Sequence, residues 1–266
     1  MSVRRALVTG ASAGIGAATA QLLAREGYRV ALLARRGAEL ETVRAGLASN
    51  PAGAHLCLPC DVGEPEHVRA ALAACDAAFG GLELLVNCAG VGYRARVEDI
   101  EPAHVERVWR TNVSGVLHGC QAALPLLRRG RAPVVVNVSS VVGRRGVPGQ
   151  AAYCASKAAV CSISESLRLE WADEGIAVCT LDPGMVATGF FAAEPKAPNV
   201  PVPDFSRAAS AEDVARHVLA LDRKPQPEVF LRPLWRWLGV LSLVAPRRAD
   251  RILASRLGAG HASRAR

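Results

Sequence analysis

Short apolar runs alternate with longer stretches of helical composition over the first 185 residues of the chain. The runs Val3 to Thr9, Tyr28 to Ala34, His55 to Cys60, Leu82 to Val86, Val134 to Val138 and Ile176 to Leu181 predict six strands. Between them, Ile15 to Glu26, about Ala38 to Ala48, Glu64 to Phe79 and Ala151 to Trp171 predict helices. Pro102 to Arg129 is long enough for a helix pair with a break or bend, and Asn112, unfavourable inside a helix, marks an irregularity there. Strands joined by helical crossovers imply a parallel sheet covered on both faces. The handedness of such crossovers leaves a doubly wound α/β sheet, a single Rossmann-like domain with helices on both sides.

Past residue 185 the pattern changes. Phe190 to Arg207 is apolar and proline-rich (Pro195, Pro198, Pro201, Pro203, with Phe191 and Phe205), and about 187–208 predicts a lid over a ligand. A helix from about Ala211 to Asp222 and a short strand at Glu228 to Leu231 complete a body of 1–232. The remainder, 233–266, opens with an apolar segment bracketed by Pro233 and Pro246 and followed by Arg247, Arg248, Arg251 and Arg256. Its two tryptophans and basic flanks suit a segment lying in a membrane interface, though it is too short to span one. A hydrophobic helix packed on the substrate mouth or on another subunit fits the same pattern.

Composition narrows the function classes. The net charge is +8, yet residues 223–266 carry ten basic and two acidic residues while 1–222 carry 22 of each. The body is neutral, which argues against a nucleic-acid-binding surface on it. No apolar leader precedes the first strand, and the eight cysteines lie mostly in apolar segments, so a reduced, cytoplasmic protein is expected. Cys57 and Cys60 form a C-x-x-C with no second pair, at a strand end rather than a helix start, so no metal or redox site is expected there. Of the 32 basic residues only Lys157, Lys196 and Lys224 are lysine.

One of those lysines stands four residues after Tyr153 on a predicted helix, which puts both side chains on one face. A phenol titrates near 10, and an ammonium beside it favours the phenolate and draws it toward a working range. Ser140 comes off the end of the fifth strand and can hydrogen-bond the same substrate oxygen. The first strand ends in Thr9-Gly10-Ala11-Ser12-Ala13-Gly14-Ile15-Gly16, a glycine turn between strand and helix that suits a pyrophosphate. After the second strand, where an NAD site would place an acid on the ribose, stand Arg35 and Arg36, which favours NADP(H) over NAD(H). Asp61-Val62 follows the third strand, where the carboxylate meets an adenine amino group or caps the next helix. Asn87-Cys88-Ala89-Gly90 follows the fourth, and Asp182-Pro183-Gly184-Met185-Val186-Ala187-Thr188 the sixth, with the Thr188 hydroxyl in reach of a carboxamide.

In this order and spacing, T-G-x-x-x-G-I-G, D-V, a variant of N-N-A-G, the helical Asn, a Ser thirteen residues before the Tyr, Y-x-x-x-K and P-G-x-V-x-T resemble the short-chain dehydrogenase/reductase family from about Val3 to Thr188. The resemblance implies catalytic roles for Asn112, Ser140, Tyr153 and Lys157. Asn112 would brace a proton-relaying water, Ser140 (rather than Ser139) orient the carbonyl, Tyr153 donate the proton, and Lys157 hold the nicotinamide ribose. It implies cofactor contacts from Gly10, Ser12, Ile15, Gly16, Arg35, Arg36, Asp61, Val62, Asn87, Ala89, Gly90, Pro183, Gly184, Val186 and Thr188, besides Tyr153 and Lys157. Cys88 departs from the second Asn of N-N-A-G, with little effect expected. The implied activity interconverts a hydrophobic ketone and a secondary alcohol, and the implied assembly is a homodimer or homotetramer through the helices around Asn112 and Tyr153. Val91, Tyr93 and Val142 suggest an apolar pocket, although Tyr93 and Arg94 or Arg96 also suit a rim without a substrate role. A non-catalytic NADP(H)-binding sensor or scaffold, recruiting a partner through the basic tail, is the competing reading.

Overall fold

The computed structural model describes residues 3–198, 200, 206 and 208–256. Seven parallel strands form one sheet: β1 (Arg5–Thr9), β2 (Arg29–Ala34), β3 (Leu56–Pro59), β4 (Leu84–Asn87), β5 (Val134–Val138), β6 (Ala177–Asp182) and β7 (Glu228–Phe230), in the order β3-β2-β1-β4-β5-β6-β7. The short stretch at 228–231 is thus a seventh strand, paired with β6.

Residues along each strand alternate between two cores, because a strand turns successive side chains to opposite faces. Ala6, Val8, Val30, Leu32, Leu84, Val86, Val134 and Val136 enter one core with Leu23 of α1 (Gly14–Arg25), Leu40 of α2 (Gly37–Ala45) and Val214 and Val218 of α8 (Ala211–Arg223). Leu7, Ala31, Leu33, Leu85, Val135 and Val178 enter the other. That side is closed by α3 (Pro65–Phe79), α5 (Gly115–Leu127) and α6 (Ala151–Glu170). Burial on both faces explains why the strands appear in the sequence as unbroken apolar runs.

The break expected in 102–129 is a π-helical stretch, Arg110–Ser114, between α4 (Pro102–Trp109) and α5. Asn112 sits in the middle of it. The segment expected to form a lid includes one helical turn, α7 (Phe190–Ala193), and its ends are joined where Ala187 N–H donates to Ala209 O and Ala209 N–H to Met185 O. Pro201, Pro203, Phe205 and Arg207 lie outside the described residues. The chain continues as α9 (Pro233–Val244) and α10 (Pro246–Arg256). No helix among the described residues is long and apolar enough to cross a membrane.

β1 pairs with β2 on one side and β4 on the other, so the chain reverses direction across the sheet there. The carboxyl ends of these strands open a crevice at that switch point, the place where open α/β sheets bind ligands.

Candidate active site

Two glycines shape the crevice floor. Gly10 has φ +70°, and a Cβ on it would stand 2.8 Å from Ala89 Cα, so the ends of β1 and β4 meet backbone to backbone. Gly14 has φ +54° and faces Thr188, whose Cγ2 would lie 3.3 Å from an added Cβ. The turn holding Gly10, Ser12, Ile15 and Gly16 therefore lies beside the β6 loop that carries Pro183, Gly184, Val186 and Thr188. The Thr9 hydroxyl accepts the N–H groups of Cys88 and Ala89 (2.9 and 3.0 Å), which fixes the Asn87 to Gly90 turn against it. Bare backbone at the mouth of a helix fits an anionic pyrophosphate.

Arg35 and Arg36 are exposed at the end of β2, and Arg36 Nη2 donates to the Ser12 hydroxyl of the glycine turn at 3.0 Å. Asp61 accepts the Gly63 N–H at 3.0 Å, so it shapes the turn into α3, with Arg110 3.9 Å away. Val62 is buried under Gly115, and its carbonyl is bonded to His118. Asn87 points away from the crevice. Its amide donates to Asn137 Oδ1 (2.9 Å), and Asn137 in turn donates to the Ser164 hydroxyl. Any contribution of Asn87 to the crevice is therefore through its main chain.

Ser140, Tyr153 and Lys157 converge at the carboxyl end of β5. The Ser140 N–H donates to Asp182 Oδ1 (3.1 Å) and its hydroxyl leans on Pro183 O (3.4 Å), so the last residue of β6 and the one after it hold it from two sides. Ser139 turns the other way, donating to Lys157 O at 2.9 Å. Lys157 is buried, with Nζ donating to Val138 O at 2.9 Å and lying 5.9 Å from the Tyr153 ring centroid. Asn112 Nδ2 donates to Val91 O and the Ser156 hydroxyl (3.0 Å each), while Oδ1 accepts Val91 N–H at 2.8 Å. A Cβ on Gly90 would lie 3.4 Å from Asn112 Oδ1 and 3.7 Å from Lys157 Nζ, so both polar groups face the same bare backbone.

Sequence reasoning expected Lys157 to draw the phenol down. The balance goes the other way. Desolvation pushes the Tyr153 hydroxyl up, with neighbouring thiols and the Glu194 carboxyl adding to it, and the hydrogen bond to Ser140 opposes them. Burial likewise pushes the Lys157 ammonium down. Desolvation is the largest influence on each group, and the phenol holds its proton.

Three features escaped the sequence. Arg94 and Glu194 form a buried ion pair, and the lid strap runs beside 94–97, with Arg94 N–H donating to Pro195 O and Ala197 N–H to Arg94 O. Phe190 thereby stacks 5.9 Å from Tyr153 and 5.4 Å from Phe191. Tyr93 is buried and packs on Val108, with its hydroxyl accepting Glu101 N–H at 2.9 Å. Behind Ser140, the Asp182 carboxyl is fully buried beside Cys161 and Glu228, the latter paired with Arg144 at 2.7 Å. These three are the cluster of possible metal ligands among the described residues, and neither Cys57 nor Cys60 is part of it. The first and third features join residues far apart in the chain, while Tyr93 turns onto the helix that follows it; the one local hint was a lone Glu between apolar residues at 194.

A glycine turn at the switch point of a parallel sheet, with a Tyr–Lys pair one strand away, defines a dinucleotide-binding oxidoreductase of the doubly wound class. More narrowly, the chain belongs to the short-chain dehydrogenase family, whose profile, described as short chain dehydrogenase, matches residues 4–199. It is 35% identical over 88% of its length to glycine betaine reductase ATRR of Emericella nidulans, of which it spans only 19%. Its fold matches a short-chain dehydrogenase/reductase from Burkholderia phymatum in complex with NAD (TM-score 0.82, 26% identity, 92% of this chain and 94% of that one). It also matches an alcohol dehydrogenase from the archaeon Thermococcus sibiricus complexed with 5-hydroxy-NADP (TM-score 0.78, 27% identity, 88% and 98%).

Proposed function

We propose that this oxidoreductase interconverts a hydrophobic ketone and its secondary alcohol with NADP(H), using Tyr153 as the acid and base. The observation that carries this reading is the convergence of Ser140, Tyr153 and Lys157 beside the glycine turn. A nicotinamide cofactor held along the glycine turn and the loop after β6 would supply the hydride for the carbonyl carbon. Ser140 donates a hydrogen bond to the carbonyl oxygen, and Tyr153, which retains its proton, delivers it to that oxygen as negative charge develops. The Lys157 ammonium stabilises the phenolate left behind, and Asn112 and Lys157, whose polar atoms both face Gly90, would brace a water that passes a proton back. The reverse steps oxidise the alcohol.

The cofactor preference rests on Arg35 and Arg36 at the ribose end, with no acid among the last residues of β2 to repel a 2′-phosphate. Phe190, Phe191 and Val142 support an apolar substrate. Exposed Trp109, Leu117 and Leu169 on α4, α5 and α6 support assembly through those helices, and eight free cysteines support a reducing, cytoplasmic setting. The experiment is a screen of NADPH oxidation against long-chain, steroid-like and polyketide-like ketones, repeated with NADH. Turnover of at least one apolar ketone, with the lower KM for NADPH, is expected. Absence of turnover across the panel would refute the reductase, and a lower KM for NADH would refute the cofactor assignment alone.

A further inference from the structure

The outer face of α9 is mostly apolar and uncovered, with Arg236 the charged residue on it. Trp237, Leu243 and Val244 are 69%, 85% and 75% exposed, and Val240 lies between them on the same side of the helix. The less exposed side carries Trp235, Leu238, Gly239 and Ser242, and Gly239 there packs against Arg144, where a Cβ on the glycine would lie 3.4 Å from the arginine's Cβ. The helix is therefore seated on the body by one side and presents the other to the surroundings. A large aromatic among aliphatic side chains at such exposure marks an interaction surface.

Charge adjoins that surface. Arg247, Arg248 and Arg251 are exposed on the first turns of α10 and line one shallow niche with Ala245 and Pro246. Among the described residues no carboxylate pairs with any of the three. Asp250, the acid on that helix, is paired with Arg145 of the body. Many arginines elsewhere in this chain sit against a carboxylate, among them Arg4, Arg5, Arg128, Arg129 and Arg144. Uncompensated guanidinium groups beside a bare apolar strip call for a partner that is anionic in one layer and apolar in the next.

We propose that α9 and the start of α10 dock on the surface of an anionic phospholipid bilayer. The three guanidinium groups meet headgroup phosphates, and Trp237, Val240, Leu243 and Val244 enter the acyl boundary. At 1.5 Å per residue the twelve residues of α9 reach about 18 Å, short of the roughly 30 Å hydrocarbon core, so the helix lies in the interface rather than across it. A nucleic acid would neutralise the arginines but leave the apolar strip wet. A second copy of this chain, joined about a two-fold axis through the same patch, would bring the two arginine clusters toward one another. The docking surface is independent of the proposed reaction.

The test is co-sedimentation of the full chain with phosphatidylcholine vesicles, with and without phosphatidylserine, at low and high salt. Binding is expected only with phosphatidylserine and should weaken as salt rises. Neutralising the three charges (R247Q, R248Q and R251Q together) should lower the partition coefficient on the order of 100-fold, at roughly fivefold per arginine. W237E with L243E should abolish binding, with circular dichroism confirming the fold. Lipids brominated on the acyl chain should quench wild-type fluorescence far more than that of Trp237→Phe. Equal binding to both vesicle types, or full binding by either multiple variant, overturns the proposal. So does a dimer, seen by sedimentation equilibrium, that W237E with L243E converts to monomer.

Discussion

Tyr153 lies in a desolvated site that favours its protonated form, and the proposed chemistry depends on that proton being present at neutral pH. Removing only the hydroxyl is therefore the sharpest perturbation. Tyr153→Phe keeps the ring against Phe190 and should lower kcat by about 10²–10⁴-fold. Cofactor affinity, measured by fluorescence titration, should change little, and wild-type kcat in this variant would exclude the phenol as the acid. A second residue-scale prediction concerns Asp182. Desolvation, together with the neighbouring Glu228 carboxyl, pushes it up to about 8. Two adjacent carboxyls cannot both ionise cheaply, so the native state keeps a proton that the unfolded chain, titrating near 4, has already released. Proton linkage then makes stability fall as pH rises from about 4 to about 8 and level off above. Asp182→Asn carries no such proton and can still accept the Ser140 N–H. Its melting temperature should exceed the wild type's by a margin that grows from pH 5 to pH 8, and a constant margin would show that Asp182 is ionised throughout.

At the scale of elements, the segment leading into the lid is held by a buried charge pair. Glu194 meets Arg94 where both side chains are 3% exposed, beside the strap from Pro195 to Ala197. Replacing one member of such a pair strands the other charge, at a cost of about 3–5 kcal/mol. Glu194→Gln should therefore loosen the strap and withdraw Phe190 from Tyr153. Its expected signature is a raised KM for the ketone, little change in cofactor affinity, and faster proteolytic nicking within 187–208. Unchanged KM and nicking would show the strap to be held by its backbone bonds alone. This pair also marks the limit of what could be read from the chain. Strand runs such as Val134 to Val138 were plain because parallel strands are apolar on both faces, and Asn112 announced the π-helical stretch because an amide competes with helical bonding. The glycine turn showed itself through residues that only a positive φ requires. Tyr93 turning inward, Asn87 bonding Asn137, and Glu194 reaching back 100 positions to Arg94 have no local signature. The last two arise from packing between elements that the sequence does not place side by side.

Over the whole molecule, charge and packing divide at the same point. The three hydrophobic clusters draw no residue from α9 or α10. The extension is attached by its own small contacts: Gly239 on Arg144, the Arg145–Asp250 pair, and Ala249 and Leu253 buried beneath α10. An exposed ion pair of this kind contributes at most about 1 kcal/mol, so the sheet does not depend on the extension for its core. Deleting 233–266 leaves β7 in place beside β6, with Glu228 still on Arg144. The same cut removes seven arginines and Asp250 and takes the net charge from +8 to +2. The shortened protein should unfold in a single transition a few degrees lower, elute earlier from a cation exchanger, and lose its hold on anionic vesicles. Calorimetry is the decisive measurement, because a broad or absent transition would mean that the extension is part of the folding unit rather than an addition to it.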